Sequence, residues 1–315
     1  MEKNMNKYPS FTIIINQHAA SGRSRHSLKV VTKYLNKHNI NYRICTTPGN
    51  GAQDLVCELL NNQELNDSIP LVMGGDGTLN QAINGVKYSN YPQTALAYIP
   101  AGSGNDFANG LKLPQHHEIE ILQRIITAVI PKNVNLGKAN LNGKTYFFIN
   151  NIGIGLDAKM VHFANQSTLK TVFNHLHLSK LIYLSQINKG LKQKPFNVDI
   201  TIGQQHLVFD QIIACIVTNH PFIGSGVPIL PTANPYENNL DIIMSKQLSP
   251  LQVANLAYKI FTNGEHLQSP LIHHYQLHRF DLQTNPQQYG QMDGEDLGKK
   301  NFNLHFSTTN QQFWL

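Results

Sequence analysis

Through the first third of the chain, short apolar runs alternate with stretches whose apolar positions recur at helical spacing. "SFTIIIN" (10–16) reads as a buried strand ending in a polar turn. In 24–38 the apolar Leu28, Val31 and Leu35 fall three and four apart, one face of a helix. "NYRICTT" predicts a second strand, "AQDLVCELLNN" a second helix and "IPLVMGG" a third strand. A third helix opens near Thr78 and closes near Gly85, and "TALAYIPAG" supplies a fourth strand before "SGNDFANGL". Strands alternating with helices predict a parallel sheet covered on both faces, a three-layer α/β/α domain. Ligands of such sheets sit at the carboxyl ends of the strands, where the glycine-rich loops fall.

Beyond about residue 140 the texture changes to short strand-like runs separated by turn residues: "KTYFFINNIGIG", "FNVDITIG", "HLVFDQIIACIVTN", "NNLDIIMS" and "HRFDLQT". Only "HLSKLIYLSQINKGL" and "PLQVANLAYKIFTN" carry helical spacing there. These features predict an antiparallel β-rich second domain. The boundary falls in "KNVNLGKANLNG", giving domains of residues 1–138 and 139–300. Residues 301–315 are either a tail or a segment folding back onto the first domain.

Composition narrows the classes. At 315 residues, 41% of them apolar, the chain can build two cores, while charged residues make up only 14%, against a usual ~25%. A net charge of +6 permits an anionic partner, but the lack of a dense Lys/Arg block argues against nucleic acid. Three scattered cysteines form no CxxC pair, which points to a reducing compartment. No run approaches the ~18 apolar residues of a membrane span, and the start of the chain shows no signal-peptide pattern. The expectation is a cytoplasmic protein whose membrane contact, if any, is peripheral at the inner face.

The chemistry concentrates in two loops. In "LVMGGDGTLN", Gly74, Gly75 and Gly77 let a ligand approach backbone N–H groups, and the following helix points its positive end at the loop. Asp76 amid those amides would repel a bare phosphate, but suits a magnesium ion carried with it. "IPAGSGNDFA" repeats the composition at the next strand end with Gly102, Ser103, Gly104, Asn105 and Asp106. Each loop thus offers glycine, a hydroxyl (Thr78, Ser103), an amide (Asn80, Asn105) and an aspartate. Neither GxxxxGK[ST] nor a GxGxxG after the first strand is present. In the first loop, after Asn16, Arg23 is within the chain's reach of a phosphate. Near the other end, Asp293-Gly294-Glu295 has the composition of a tight hairpin turn, and a kinase acting on an alcohol benefits from such a carboxylate.

GGDGTLN at 74–80, PxGSxNDFA at 100–108 and DGE at 293–295, in that order, resemble the diacylglycerol kinase catalytic-domain family, which includes soluble bacterial lipid kinases and the sphingosine and ceramide kinases. "NIGIGLDA" and "TNHPFIGSGVPILPTA" extend the likeness over nearly the whole chain. The resemblance implies ATP held between the two glycine loops, with Asn16, Arg23, Gly74, Gly75, Gly77, Thr78, Asn80, Gly102, Ser103, Gly104, Asn105 and Glu295 around it. It implies Mg2+ with Asp76 and Asp106 in its network, and Asp293 as the base. It also implies a β-sandwich second domain holding a lipid such as diacylglycerol, transient contact with a membrane, and a homodimer. Glu237, in "PTANPYENN", aligns with a structural-metal aspartate of the family, with Asn238 replacing a glycine.

Two other readings stay open: an NAD kinase, although "FINNIGIG" lacks the expected Asn-Glu pair, and a non-catalytic lipid- or nucleotide-binding regulator that kept the fold. Tyr183, Leu184 and Ile187 are candidates for a lipid-lining stripe or plain core. Lys189, Lys192 and Lys194 are candidates for docking on an anionic bilayer. His175, His177, His273 and His274 form no metal-ligand pattern.

Overall fold

The computed structural model describes residues 9–17, 23–48, 51–166 and 193–315. The stripe Tyr183, Leu184 and Ile187, together with Lys189, Lys192, His175 and His177, lies outside the described residues. The chain divides into two compact units, Met1–Val134 with Gln311–Leu315, and Asn135–Asn310. The boundary expected at residue 138 therefore stands at 134. Of residues 301–315, Gln311–Leu315 join the first unit and the rest belong to the second.

The first unit is built on β1 (Phe11–Ile15), β2 (Tyr42–Thr46), β3 (Ile69–Gly74) and β4 (Leu96–Pro100), parallel and in the order β2-β1-β3-β4. Phe313 and Trp314 add in parallel beside Leu96 and Ala97. Every residue of β1 and β4 is buried, as expected of strands covered on both faces. Phe11, Ile13, Ile15, Leu71, Met73 and Ile99 pack against Val31 and Leu35 of α1 (Arg23–Lys37) and Ile121, Leu122 and Ile125 of α5 (Glu118–Thr127). The alternate residues Ile14, Val72 and Tyr98 are fully buried too. Helix α3 (Asp76–Tyr88) packs on β3 and against α2 (Gln53–Asn61). Each fully buried isoleucine adds ~1.5–3 kcal/mol. The sequence reading passes over α5, although its apolar positions recur at helical spacing.

The second unit is antiparallel and β-sandwich-like. Its strands are β5 (Lys132–Leu141), β6 (Lys144–Phe148), β7 (Asn151–Gly155), β8 (Phe196–Ile202), β9 (Gln205–Thr218), β10 (Leu240–Lys246), β11 (Ile272–Leu277), β12 (Phe280–Asn285), β13 (Gln288–Met292), β14 (Glu295–Lys300) and β15 (Asn303–Trp314). They run β14-β13-β7-β9-β8-β12-β15, with β10 between β9 and β11, and β5 beside both β15 and β6. One apolar core joins them, including Phe148, Phe196, Phe280, Phe302 and Phe306. The stretch expected to hold the domain boundary forms the ten-residue strand β5, with Val134, Leu136, Ala139 and Leu141 buried along it. "KTYFFINNIGIG" is two strands, β6 and β7, with a corner between them that carries chemistry. Two α-helices and a short 3-10 helix (Glu265–Gln268) complete the unit's described part: α6 (Leu156–Gln166), and α7 (Pro250–Thr262), which opens on a Ser249–Gln252 capping box.

Candidate active site

The loops leaving β3 and β4 are side by side because the strands are neighbours, with Gly74 opposite Pro100. Ala101 N donates to Gly74 O at 2.8 Å. The backbones come so close that a methyl group at Gly102 would stand 2.4 Å from Gly75 Cα. Gly77 differs: a methyl group there would meet nothing within 4 Å. No internal packing demands glycine at that position, and the space beside it is open.

Asp76 is the first residue of α3, so the helix opens two residues earlier than the sequence suggests. Its carboxylate fastens the neighbouring loop: Asp106 N donates to Oδ2 at 2.9 Å and Phe107 N to Oδ1 at 3.2 Å. These are the first N–H groups of α4 (Asp106–Gly110), whose N-cap Asn105 has left-handed φ 54° and gives the helix no side-chain bond. Asn105 closes its own loop instead, accepting from Gly102 N at 2.9 Å. Asp106 is buried, 4% exposed. Burial first, then the charges of Asp76 and Asp106, push the Tyr98 hydroxyl well above its ordinary range, which ties both carboxylates to the floor of the site.

No side chain caps α3. Its N-terminal amides, the dipole's positive end and the open space at Gly77 fit a phosphate group. Two carboxylates on adjacent loops fit magnesium, which takes one or two from protein and its remaining oxygens from phosphate and water. The other expected contacts are less direct. Arg23 opens α1 with Nη2 2.8 Å from His116 Nε2. Asn16 follows β1 and is half-buried. Asn80 Oδ1 accepts from Asn84 Nδ2 at 3.1 Å, Thr78 is buried under Gly74, and Ser103 is exposed.

In the second unit, Asp293 and Gly294 form the two-residue turn between β13 and β14, with φ 48° and 87°. Two successive positive φ values are the tight-hairpin geometry that the Asp-Gly pair favours. The Asp293 carboxylate takes three backbone donors from the β6–β7 corner: Ile149 N on Oδ2 at 2.8 Å, and Asn150 N and Asn151 N on Oδ1 at 2.9 Å each. Asp293 N returns a bond to Asn151 O at 2.9 Å. Glu295 is exposed.

Glu237, the residue aligned with a structural-metal aspartate, bonds within its own loop. Its two oxygens receive Asn234 Nδ2 at 3.0 Å and Asn239 Nδ2 at 3.3 Å. Among the described residues no three His, Cys, Asp or Glu side chains gather as a metal group. Amides fasten this loop further, with Asn135 Nδ2 on Asn239 O at 2.9 Å.

Residues 10–139 match the diacylglycerol kinase catalytic domain, and residues 150–307, half of the chain, match the YegS C-terminal NAD kinase beta sandwich-like domain. The chain belongs to the diacylglycerol kinase catalytic-domain family. It is 29% identical over 299 residues to the Bacillus subtilis protein named "Putative lipid kinase YtlR", covering 92% of this chain and 94% of that one. It is 26% identical over 229 residues to a Bacillus subtilis "Diacylglycerol kinase", covering 71% and 70%. A Bacillus anthracis structure titled a diacylglycerol kinase superposes with a TM-score of 0.68 at 22% identity, covering 98% and 97%; at that identity the likeness speaks to the fold.

In this family member, two features escape sequence reasoning. One is that Asp76 and Asp293 each bind backbone N–H groups of a distant segment. The other is Asp157, at the start of α6, which "NIGIGLDA" contains without any sign of its role.

Proposed function

We propose that this protein is an ATP- and Mg2+-dependent lipid kinase that phosphorylates the hydroxyl of diacylglycerol to give phosphatidic acid. The reading is carried by one observation: two glycine loops on adjacent parallel strands, locked together by Asp76 and leaving open space at Gly77. Amides of the Gly74–Thr78 segment, with Asn80, Gly102, Ser103, Gly104 and Asn105, bind the nucleotide's phosphates. Arg23 and Asn16 orient them from the first loop. Asp76 and Asp106 hold the magnesium ion, which when bound offsets charge on the transferring phosphoryl group.

Asp293 orients the lipid hydroxyl and receives its proton. Oδ2, with one backbone donor against two on Oδ1, is the assigned acceptor atom. A loose transition state asks little of the base, so a carboxylate already shared among backbone amides suffices. The substrate lies in a bilayer, and α7 turns Leu251, Tyr258 and Phe261, 83%, 67% and 65% exposed, along one helical face free of acidic side chains. That face inserts at the membrane surface.

The test is transfer from γ-labelled ATP to diacylglycerol, monoacylglycerol, a sphingoid base, a polyprenol and NAD, with and without magnesium. Labelled phosphatidic acid that depends on magnesium is expected. A second reading, phosphorylation of NAD, is favoured by the family description of the second unit. Label on NAD alone would overturn the lipid assignment.

A further inference from the structure

Asp157 lies on the first turn of α6, over β7 and β13. Gly153 of β7 has no side chain because the Asp157 carboxylate fills its place: a methyl group there would lie 1.6 Å from Oδ2. Oδ2 accepts from Gln291 Nε2 at 3.1 Å, and Gln291, 3% exposed, accepts with Oε1 from Gly294 N at 2.9 Å. Gly294 is the second residue of the turn whose first residue is Asp293.

The chemistry of an amide makes this chain directional. The two ends of a glutamine side chain have nearly the same shape, so packing alone does not choose between them. An ionised carboxylate accepts only, so it draws the NH2 end and leaves the oxygen for the Gly294 N–H. A neutral acid or an asparagine can donate instead. Either lets the amide reverse, which sets its NH2 against the Gly294 N–H and breaks that bond. The turn would then lose its Gly294 anchor and keep the bonds of Asp293, its carboxylate on Ile149–Asn151 and its N–H on Asn151 O.

We infer that Asp157 is a positioning residue: by accepting from Gln291 it fixes the amide that holds the Gly294 N–H, and so sets the pose of Asp293. The functional consequence rests on the lipid-kinase reading; the linkage itself does not. Burial raises the Asp157 carboxyl to about 6, so the switch is poised on the acidic side of neutral. The titratable groups on the elements around it are Cys215 on β9, with His206 and Asp210 nearer that strand's start; Tyr289 on β13; Glu295, Asp296, Lys299 and Lys300 on β14; and His162 and Lys159 on its own helix. Of these, Cys215 feels the Asp157 charge, and His162 is paired with Asp296 at 2.5 Å.

The test is amide exchange of the 288–296 hairpin, corrected for intrinsic rates, in the full-length protein. In the wild type, exchange at Gly294 should rise as pH falls through about 6. In Asp157→Asn it should already be high at pH ~8, by about fivefold or more for one lost hydrogen bond, and flat with pH. In a Gln291→Ala background the Asp157→Asn effect should vanish. Unchanged Gly294 exchange in Asp157→Asn, or an equal effect in both backgrounds, overturns the inference. If the wild type phosphorylates no lipid, the kinase reading falls while exchange still decides the linkage. If it does, Asp157→Asn should lower kcat with KM for ATP unchanged. Lower kcat with unchanged exchange also refutes positioning.

Discussion

Asp157→Asn should make this protein more stable at neutral pH while loosening its active turn. Among the described residues Oδ1 of Asp157 is buried without a hydrogen-bond partner. Burial is the main cause that lifts the carboxyl from 3.8 to about 6, against weaker pulls from Gln291 and the backbone N–H groups of Ala158 and Asp157. An acid whose folded pKa lies above its unfolded value holds its proton more tightly in the native state. Stability is therefore greatest below 3.8, falls as pH rises to about 6, and is level above that.

A gap of about two pH units at ~1.36 kcal/mol each gives a penalty of about 3 kcal/mol at pH 8. Asparagine has the shape of the protonated acid and escapes the penalty. Its amide is no worse placed than the buried carboxylic acid it imitates. The expected gain is about 3 kcal/mol at pH 8, roughly 6–12 °C in the melting temperature of a unit of this size. The gain should shrink to nothing near pH 4. Thermal unfolding of both proteins at several pH values measures it. A gain of equal size at both ends of the range would mean that packing, not charge, is responsible. A loss at pH 8 would mean the carboxylate is well solvated.

Gly77→Ala should leave the fold intact or raise stability by up to ~1 kcal/mol. It should also weaken ATP binding if the proposed phosphate uses the open space beside it; unchanged affinity by calorimetry refutes a phosphate there. Gly153→Ala should destabilise by roughly 2 kcal/mol or more, since the methyl group displaces Asp157, and removing that side chain in Gly153→Ala/Asp157→Ala should recover part of the loss in urea unfolding. Asp293→Asn should cut phosphotransfer at least ~100-fold and lower stability by about 1–3 kcal/mol, because an amide cannot accept at both positions from Ile149, Asn150 and Asn151. Intact ATP affinity in that variant checks that the first unit is untouched. Leu251→Asp with Phe261→Asp should abolish sedimentation with anionic vesicles while soluble ATP binding persists; unaltered sedimentation removes α7 as the membrane face.

The parallel sheet was legible because its signals are local: unbroken apolar strands, helical spacing between them, and glycines where strands end. The loop composition around Asp76 and Asp106 was legible for the same reason. What stayed hidden is set by pairing over distance. Asp293 reads as a reactive carboxylate, yet its donors lie at Ile149–Asn151, brought to it by the register of β13 on β7. β5 reads as a domain boundary rather than a strand because asparagines and lysines interrupt it. Its buried positions mix Val134, Leu136 and Leu141 with Asn135, Gly137 and Ala139, and Gly137 leaves room for the Phe148 ring, which a methyl group would meet at 1.9 Å.

Asp76 and Asp293 use one device in two different units. Each is an acidic residue at a glycine-rich turn whose carboxylate binds the backbone N–H groups of a segment far away in sequence. Such a group has a fixed position before any ligand arrives, because its oxygens are oriented by main chain rather than by flexible side chains. The same bonds make it structural, so substituting either aspartate removes a loop anchor together with any reactive role. Loss of activity at Asp76 or Asp293 therefore identifies neither as catalytic unless the loop it anchors is shown to be in place. Asp157 offers a cleaner separation, since its substitution is expected to raise stability while disturbing the turn, and a residue that served only the fold would not move the two in opposite directions.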